Sequence, residues 1–83
     1  MYLHIGKDIS VNGNSIIGIF DIDSLKKTKV YKNLFENIKE NIIDISEGNN
    51  KTLILTKEKQ VVKAYISNIL SVTLEKRIVE SIY

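Results

Sequence analysis

The sequence of 83 residues contains no cysteine, no proline and no tryptophan. Without cysteine, disulfide bonds, thiol catalysis and zinc sites with thiolate ligands are excluded. No run of about 18 apolar residues is present, so no membrane-spanning helix is expected. The chain does not open with the basic, apolar and small-residue pattern of a secretory signal. These absences predict a cytoplasmic protein that does not associate with a membrane.

The remaining composition is ordinary for a small folded protein. Hydrophobic residues make up 43% of the chain and charged residues 27%, and the formal net charge is +2. We therefore expect one domain over residues 1–83 with a thin hydrophobic core. Nearly all of the basic residues are lysine, and Arg77 is the only arginine. Few bidentate contacts to guanine or phosphate are therefore available to this chain.

The first quarter of the chain alternates in the manner of β-strands. Tyr2–Ile5 and Ile9–Val11 predict two short strands. The dipeptide Asn12-Gly13 is the strongest local signal for a hairpin, so a strand over Ile16–Ile22 is predicted to run back beside the second one. This third strand is apolar on both faces, which is typical of a buried or interface strand. Gly18 within it indicates that a ring or another backbone packs closely there.

Helical spacing begins at residue 28 and continues to residue 41. The apolar residues of this segment form one stripe, and Thr28, or alternatively Ser24, is the predicted N-cap. The stripe consists of Val30, Tyr31, Leu34, Phe35 and Ile38.

The second half of the chain predicts three more strands and a second helix. The strands are expected over Ile42–Ser46, Thr52–Thr56 and Val61–Ser67, with a loop at residues 47–51 and a polar turn at residues 57–60. A short helix is expected from about Ser71, with an apolar stripe of Leu74, Ile78, Val79 and Ile82. The order β-β-β-α-β-β-β-α predicts an α+β fold: a small, mostly antiparallel sheet with one main helix and a short C-terminal helix.

So few helices cannot cover both faces of a sheet with this many strands. The third strand is apolar on both sides, and no proline protects any strand edge. We therefore expect self-association into a homo-oligomer, in which a closed ring would protect every edge.

No enzyme site is evident, so we predict a protein that is not an enzyme and needs no cofactor or metal. His4 lacks a sequence partner for acid–base work and is expected to donate to a neighbouring carbonyl. Asp21 and Asp23 share one face at a strand end, but the further oxygen ligands that calcium needs are missing. A strand end that leads into a helix turn is the favoured interpretation of this pair. Gly48 lacks the second glycine and the lysine of a phosphate-binding loop. No small-molecule ligand is expected.

Two basic clusters remain as possible contacts to nucleic acid. Lys26, Lys27 and Lys29 crowd the start of the main helix, and Lys76 and Arg77 lie in the last helix. For both clusters a solvated polar surface is favoured over nucleic-acid contact, because aromatic residues that could stack on bases are not interleaved with them. The residues alone indicate an interaction domain.

Three sequence segments occur in the same order as in a known protein family. They are Tyr2–Gly6, Ile16–Asp23 and the stretch from Tyr65–Ser67 to Thr73–Arg77. In these segments the chain closely resembles the RemB-like branch of the Rem extracellular-matrix-regulator family over nearly its whole length. The resemblance implies kinship with the RemA branch, whose members are DNA-binding activators of biofilm-matrix genes that assemble into rings, with a fold likened to LytTR domains.

The resemblance also implies where DNA would bind. The RemA branch places arginines after the glycine of the central loop, and Gly48 matches that glycine. Asn49, Asn50 and Lys51 follow it here, and Ser15 stands where another arginine is placed before the third strand. The implied DNA-binding residues are therefore Lys51, Asn49 and Asn50, with Lys26, Lys27 and Lys29 as neighbours.

Three hypotheses for the function remain. An enzyme with an unrecognised site is the least favoured, and the other two come from different classes. The first is a DNA-binding transcriptional regulator of matrix genes that acts as a homo-oligomer on double-stranded DNA. The second is an oligomeric scaffold of the same family that has lost DNA binding together with the arginines of the loop. A salt-dependent interaction with duplex DNA would distinguish the first from the second.

Overall fold

A computed structural model describes the backbone of residues 1–82 and the side chains of residues 1–80. Residues 1–82 form six strands and three α-helices, with short 3-10 turns at Gly13–Ser15 and Lys39–Asn41. The strands are β1 (Tyr2–Gly6), β2 (Ile9–Asn12), β3 (Ile16–Asp21), β4 (Ile42–Asp44), β5 (Thr52–Glu58) and β6 (Val61–Ser67). The helices are α1 (Ile22–Leu25), α2 (Lys29–Ile38) and α3 (Ser71–Ile82). The predicted α+β class is confirmed.

A four-stranded sheet in the order β3-β5-β6-β4 forms the centre of the molecule. β5 pairs antiparallel with β3 and β6, and only β4 runs parallel, beside β6. β1 and β2 form a separate antiparallel pair. The mostly antiparallel pairing is thus as predicted.

One face of the central sheet is covered by α1 and α2. Ile22 and Leu25 of α1 join Leu53, Ala64 and Ile66 of the sheet in a buried cluster. From α2, the partly buried side chains that pack on this cluster are Tyr31, Leu34, Phe35 and Ile38. Val30 belongs to the predicted stripe but is exposed, because the helix turns it away from the sheet.

The β1–β2 hairpin and α3 cover the opposite face. Leu3, Ile5 and Val11 of the hairpin pack with Ile54 of the sheet and with Leu74 of α3. Ile78 of the predicted α3 stripe packs on this cluster, whereas Val79 is exposed. The side chain of Ile82 lies outside the described residues.

The predicted hairpin between the second and third strands is wrong. Asn12 and Gly13 enter a 3-10 turn, after which β3 leaves the hairpin layer and pairs with β5. Gly13 donates its backbone N–H to the Met1 carbonyl at 2.8 Å, and a Cβ at this position would lie 1.8 Å from Met1 Cε. Gly13 does not adopt the positive φ that a type I′ turn requires.

Several predicted boundaries also differ from the structure. β3 ends at Asp21 and β4 at Asp44, whereas β5 extends to Glu58 and leaves a two-residue turn of Lys59 and Gln60. Thr28 is the N-cap by backbone conformation, but its hydroxyl donates to the Leu25 carbonyl and makes no capping bond.

Strand β3 lies at an edge of the sheet and exposes apolar side chains. Ile17 is 56% exposed and Phe20 38%. The Phe20 ring covers Gly18, where a Cβ would lie 2.5 Å from Phe20 Cε2, so the predicted close packing of a ring is confirmed. In the described part of the chain, no helix is both long and apolar enough to cross a membrane.

Candidate functional site

The loop between β4 and β5 is shaped by a network of polar side chains. The Ser46 backbone N–H donates to Asp44 Oδ1 at 2.9 Å, and the Ser46 hydroxyl donates to the same oxygen at 2.6 Å. The hydroxyl also contacts the Asn50 side chain, and Asn49 donates its backbone N–H to the Ser46 carbonyl at 3.1 Å. Because Ser46 is fully buried, this network fixes the base of the loop.

The tip of the loop requires two residues with left-handed backbone. Glu47 has φ 54° and Gly48 φ 88°. A Cβ at position 48 would meet nothing within 4 Å, so the glycine serves backbone conformation and not close packing. The tip therefore stands free in solvent above its rigid base.

Lys51 connects the loop to the neighbouring strand ends. Its backbone N–H donates to the Ser67 carbonyl at 3.0 Å, and its carbonyl accepts the Ile22 N–H at 3.0 Å. The end of β6 and the start of α1 thereby hold the Lys51 backbone between them, while the side chain stays exposed. The position of this lysine is set by the fold.

Asp21 lies beside this lysine at the end of β3. Its carboxylate accepts the Ser24 N–H at 3.0 Å and the Ser24 hydroxyl at 2.9 Å, which caps α1. These two hydrogen bonds lower the pKa of Asp21 below its usual value, and the charges of Lys27 and Lys51 lower it further. The charges of Lys27 and Lys51 therefore act on the same carboxylate.

A third lysine, missed by the sequence analysis, lies near the other side of the loop. Lys7 sits at the β1–β2 turn with φ 45°. Hydrogen bonds from the Ser46 hydroxyl and N–H lower the pKa of Asp44, and the Lys7 charge contributes in the same direction. The only sequence signal was the turn at Gly6-Lys7-Asp8, which gives no indication of the packing partner. We call Lys7, Lys27, Lys51 and the loop Glu47–Asn50 the lysine end of the sheet.

The other predicted site residues are placed as follows. Gly48, Asn49 and Asn50 are exposed in the loop, Lys26 is exposed directly after α1, and Lys29 is exposed at the first position of α2. No contact between Lys26 or Lys29 and the loop is found in the described residues. Part of the Asn50 side chain is used inside the loop and is not free for a ligand.

The residues considered for chemistry have structural roles instead. His4 Nε2 lies 2.6 Å from the Lys7 carbonyl, which confirms the predicted contact to a neighbouring carbonyl. Asp21 caps a helix, and no group of three or more metal-ligating side chains is found in the described residues. Arg77 donates to the His4 carbonyl at 3.1 Å, on the hairpin side of α3 and not at the loop.

The lysine end of the sheet offers point charges on a rigid surface. Lysine ammonium groups bind phosphate oxygens without the bidentate geometry that arginine provides. Asp21 and Asp44, whose pKa values are lowered, remain ionised at neutral pH and partly offset these charges. Such a surface can bind a polyanion by charge but has little means to distinguish base pairs.

Comparison with known proteins gives the family. The family model of RemA-like proteins, described as extracellular matrix regulatory protein A-like, matches residues 2–78. The chain belongs to the RemA-like family. It is also 30% identical over 77 residues to the extracellular matrix regulatory protein B of Bacillus subtilis (strain 168), covering 93% of this chain and 89% of that protein. The expected membership, on the RemB-like side of the family, is confirmed.

Proposed function

We propose that this RemA-like protein is a transcriptional regulator of extracellular-matrix genes that binds duplex DNA as a homo-oligomer in the cytoplasm, and that it is not an enzyme. The observation that carries the DNA-binding part is the exposed Lys51, whose backbone is held by hydrogen bonds to Ser67 and Ile22 at one end of the sheet. The charge of Lys27 acts on the neighbouring Asp21 carboxylate, as that of Lys51 does. The similarity to a protein named as an extracellular matrix regulator supports the regulatory part.

The charges on this surface determine the kind of binding. Lys7, Lys26 and Lys29 add their positive charges to those of Lys27 and Lys51. None of these five lysines forms an ion pair with another described residue. Each subunit therefore offers few phosphate contacts and no arginine for base readout at the loop. An oligomer repeats this weak surface, so that many copies bind together through their high effective concentration.

We expect DNA binding to be strongly salt-dependent and weakly sequence-selective. For an assembly that makes six to ten phosphate contacts, raising salt from about 50 to about 200 mM lowers affinity by roughly a thousandfold or more. A fluorescence-anisotropy titration with two duplexes of unrelated sequence measures both properties. Tight binding that ignores salt, or a strong preference for one duplex at low salt, would contradict the proposed surface.

Two charge variants with opposite expected effects locate the binding surface. Lys51→Glu should weaken DNA binding and reduce its salt dependence, because one phosphate contact per subunit is lost. Asp21→Asn should strengthen it, since an asparagine still caps α1 but no longer offsets the lysines. Both side chains are exposed, so circular dichroism and solution mass should remain unchanged. A loss of the oligomer in Lys51→Glu would instead place this loop in an interface.

The exposed edge strand supports the oligomeric part of the proposal. β3 presents unpaired backbone groups beside Ile17 and Phe20, and no charged side chain interrupts the run Ile16–Phe20. An apolar, uncovered edge of this kind favours pairing with another chain.

Substitution of one exposed residue should dissociate the assembly. Ile17→Lys is expected to shift the solution mass toward that of the 9.5 kDa chain while the fold is retained, because a charge on an edge strand opposes pairing. Val72→Lys is the matched control, since Val72 is also exposed but lies on α3. Light scattering measures the masses. If both changes lower the solution mass equally, or if only Val72→Lys lowers it, the proposed interface at β3 is contradicted.

A scaffold that has lost DNA binding is the second candidate. The observation in its favour is that Glu47, Asp21 and Asp44 lie at the lysine end of the sheet and offset the charges of Lys7, Lys27 and Lys51. An oligomer whose mass and anisotropy do not respond to duplex DNA at low salt would support the scaffold and contradict the regulator.

A further inference from the structure

An open cleft lies at the end of the sheet opposite to the loop. Its volume is about 510 Å³, and its floor is formed by the distal parts of β5 and β6 beyond the hairpin layer. β5 and β6 have seven residues each, so the cleft and the lysine end of the sheet are roughly 20 Å apart. The volume falls within the range of about 300–1,000 Å³ that small-ligand sites occupy.

One nearly buried hydroxyl of the cleft has no hydrogen-bond partner in the described part of the protein, whereas the Ser15 and Asn12 side chains bond locally. Thr56 is 4% exposed, and in the described part of the chain its hydroxyl takes part in no hydrogen bond. Among the described residues, every side-chain polar atom that is closed off from solvent has a hydrogen-bond partner. Because the Thr56 hydroxyl has none, it is reached by solvent, and it lines the cleft. A nearly buried hydroxyl of this kind requires a partner, which water or a ligand in the cleft provides.

The charged side chains of the cleft are likewise unpaired. Lys63 lies directly opposite Thr56 on the neighbouring strand, and Glu58 lies opposite Val61 one step further out. Lys59 is in the two-residue turn that closes the cleft, and none of these three charged groups forms an ion pair with another described residue. Two ammonium groups and one carboxylate thus face the same volume, which favours an anion that also carries hydrogen-bond donors.

Aromatic rings and a tight turn complete the cleft. Tyr2 is 76% exposed on one wall, and the half-buried Tyr65 lies on the floor. Lys59 and Gln60 have φ values of 49° and 71°, as the two-residue turn of a β-hairpin requires. Exposed tyrosine rings can stack on a planar base.

We propose that this cleft binds a purine nucleoside monophosphate, a ligand that the sequence did not indicate. The phosphate contacts Lys59 and Lys63, the base packs against the tyrosine rings, and Glu58 accepts hydrogen bonds from N–H groups of the base. The Thr56 hydroxyl bonds to the sugar or the phosphate. Binding is independent of DNA, because the two sites lie at opposite ends of β5 and β6.

Titration of the ¹⁵N-labelled full-length chain with guanosine 5′-monophosphate tests the proposal. Amide resonances of Thr56, Val61 and Lys63 should shift in a saturable manner, and those of the loop at Gly48 should not. Lys63→Ala should weaken binding about tenfold, because a charge-assisted hydrogen bond is lost. Lys57→Ala is the matched control, since Lys57 lies on the same strand as Thr56 but on the opposite face of the sheet.

Each remaining outcome decides the question. Guanosine alone and inorganic phosphate alone should each bind at least tenfold more weakly than the nucleotide, and equal binding of either would overturn the assigned ligand class. Absence of shifts at millimolar nucleotide, or equal effects of Lys63→Ala and Lys57→Ala, would overturn the site. Dissociation of the oligomer by Lys63→Ala would show that the cleft is an interface between copies, which also overturns the proposal.

Discussion

Leu53→Ala is expected to cause the largest loss of stability of any single change considered. Leu53 lies on the central strand β5, is fully buried, and is paired with Phe20 on one side and Ile66 on the other. Truncation removes apolar contacts and leaves a cavity between the sheet and α1, at a cost of about 2–5 kcal/mol. For a chain of this size, whose total stability is on the order of 4–12 kcal/mol, the loss is a large fraction of the whole.

Leu70→Ala is the matched control for this change. Leu70 is about half exposed at the start of α3, so the same truncation removes little buried area. Urea unfolding followed by circular dichroism compares the variants at one fixed protein concentration, because association adds to apparent stability. Equal midpoints for Leu53→Ala and Leu70→Ala would contradict the assignment of Leu53 to the core.

Ser67→Ala is expected to have the second-largest effect, through lost hydrogen bonds. The fully buried Ser67 hydroxyl donates to the Ile5 carbonyl and accepts the Ile69 N–H at 3.0 Å. Alanine leaves both backbone groups buried without partners, which costs about 1–3 kcal/mol for each group that water cannot reach. The loss should act mainly on the hairpin, because this hydroxyl links β1 to the end of β6.

Hydrogen exchange distinguishes this effect from general destabilisation. In Ser67→Ala, amides of β1 and β2 should exchange faster, relative to those of β5, than they do in the unchanged protein. Ser10→Ala is the control, since Ser10 is exposed on β2 and forms no side-chain hydrogen bond in the described structure. Uniformly faster exchange in all strands, or no change at all, would contradict the linking role of Ser67.

The sequence predicted the positions of strands and helices better than the pairing between the strands. Alternation over residues 2–5 and 61–67 and the apolar spacing of α2 depend on local periodicity, which the chain displays directly. The pairing of β3 depends on distant β5, and this long-range pairing overrides the local hairpin signal of Asn12-Gly13. The short helix α1 was not predicted as a separate element, although Asp21 and Asp23 were interpreted as a strand end that leads into a helix turn, and Asp21 does cap α1.

The candidate site was predicted only in part for the same reason. Lys51 and its loop were identified from the resemblance, but the approach of Lys27 depends on α1, and that of Lys7 on the hairpin layer. The cleft was not predicted at all. The floor of the cleft extends beyond the β1–β2 hairpin because β5 continues to Glu58. A run of polar residues such as Lys57–Gln60 does not show where a strand ends.

The solution mass of the full-length chain, measured by light scattering with and without duplex DNA at low salt, tests the proposed function most directly. The account predicts a defined multiple of the 9.5 kDa chain that gains mass on addition of DNA and releases it at about 200 mM salt. A 9.5 kDa particle at micromolar concentration, or an oligomer whose mass is unchanged by DNA at every salt concentration, would contradict the proposal of a DNA-binding homo-oligomer.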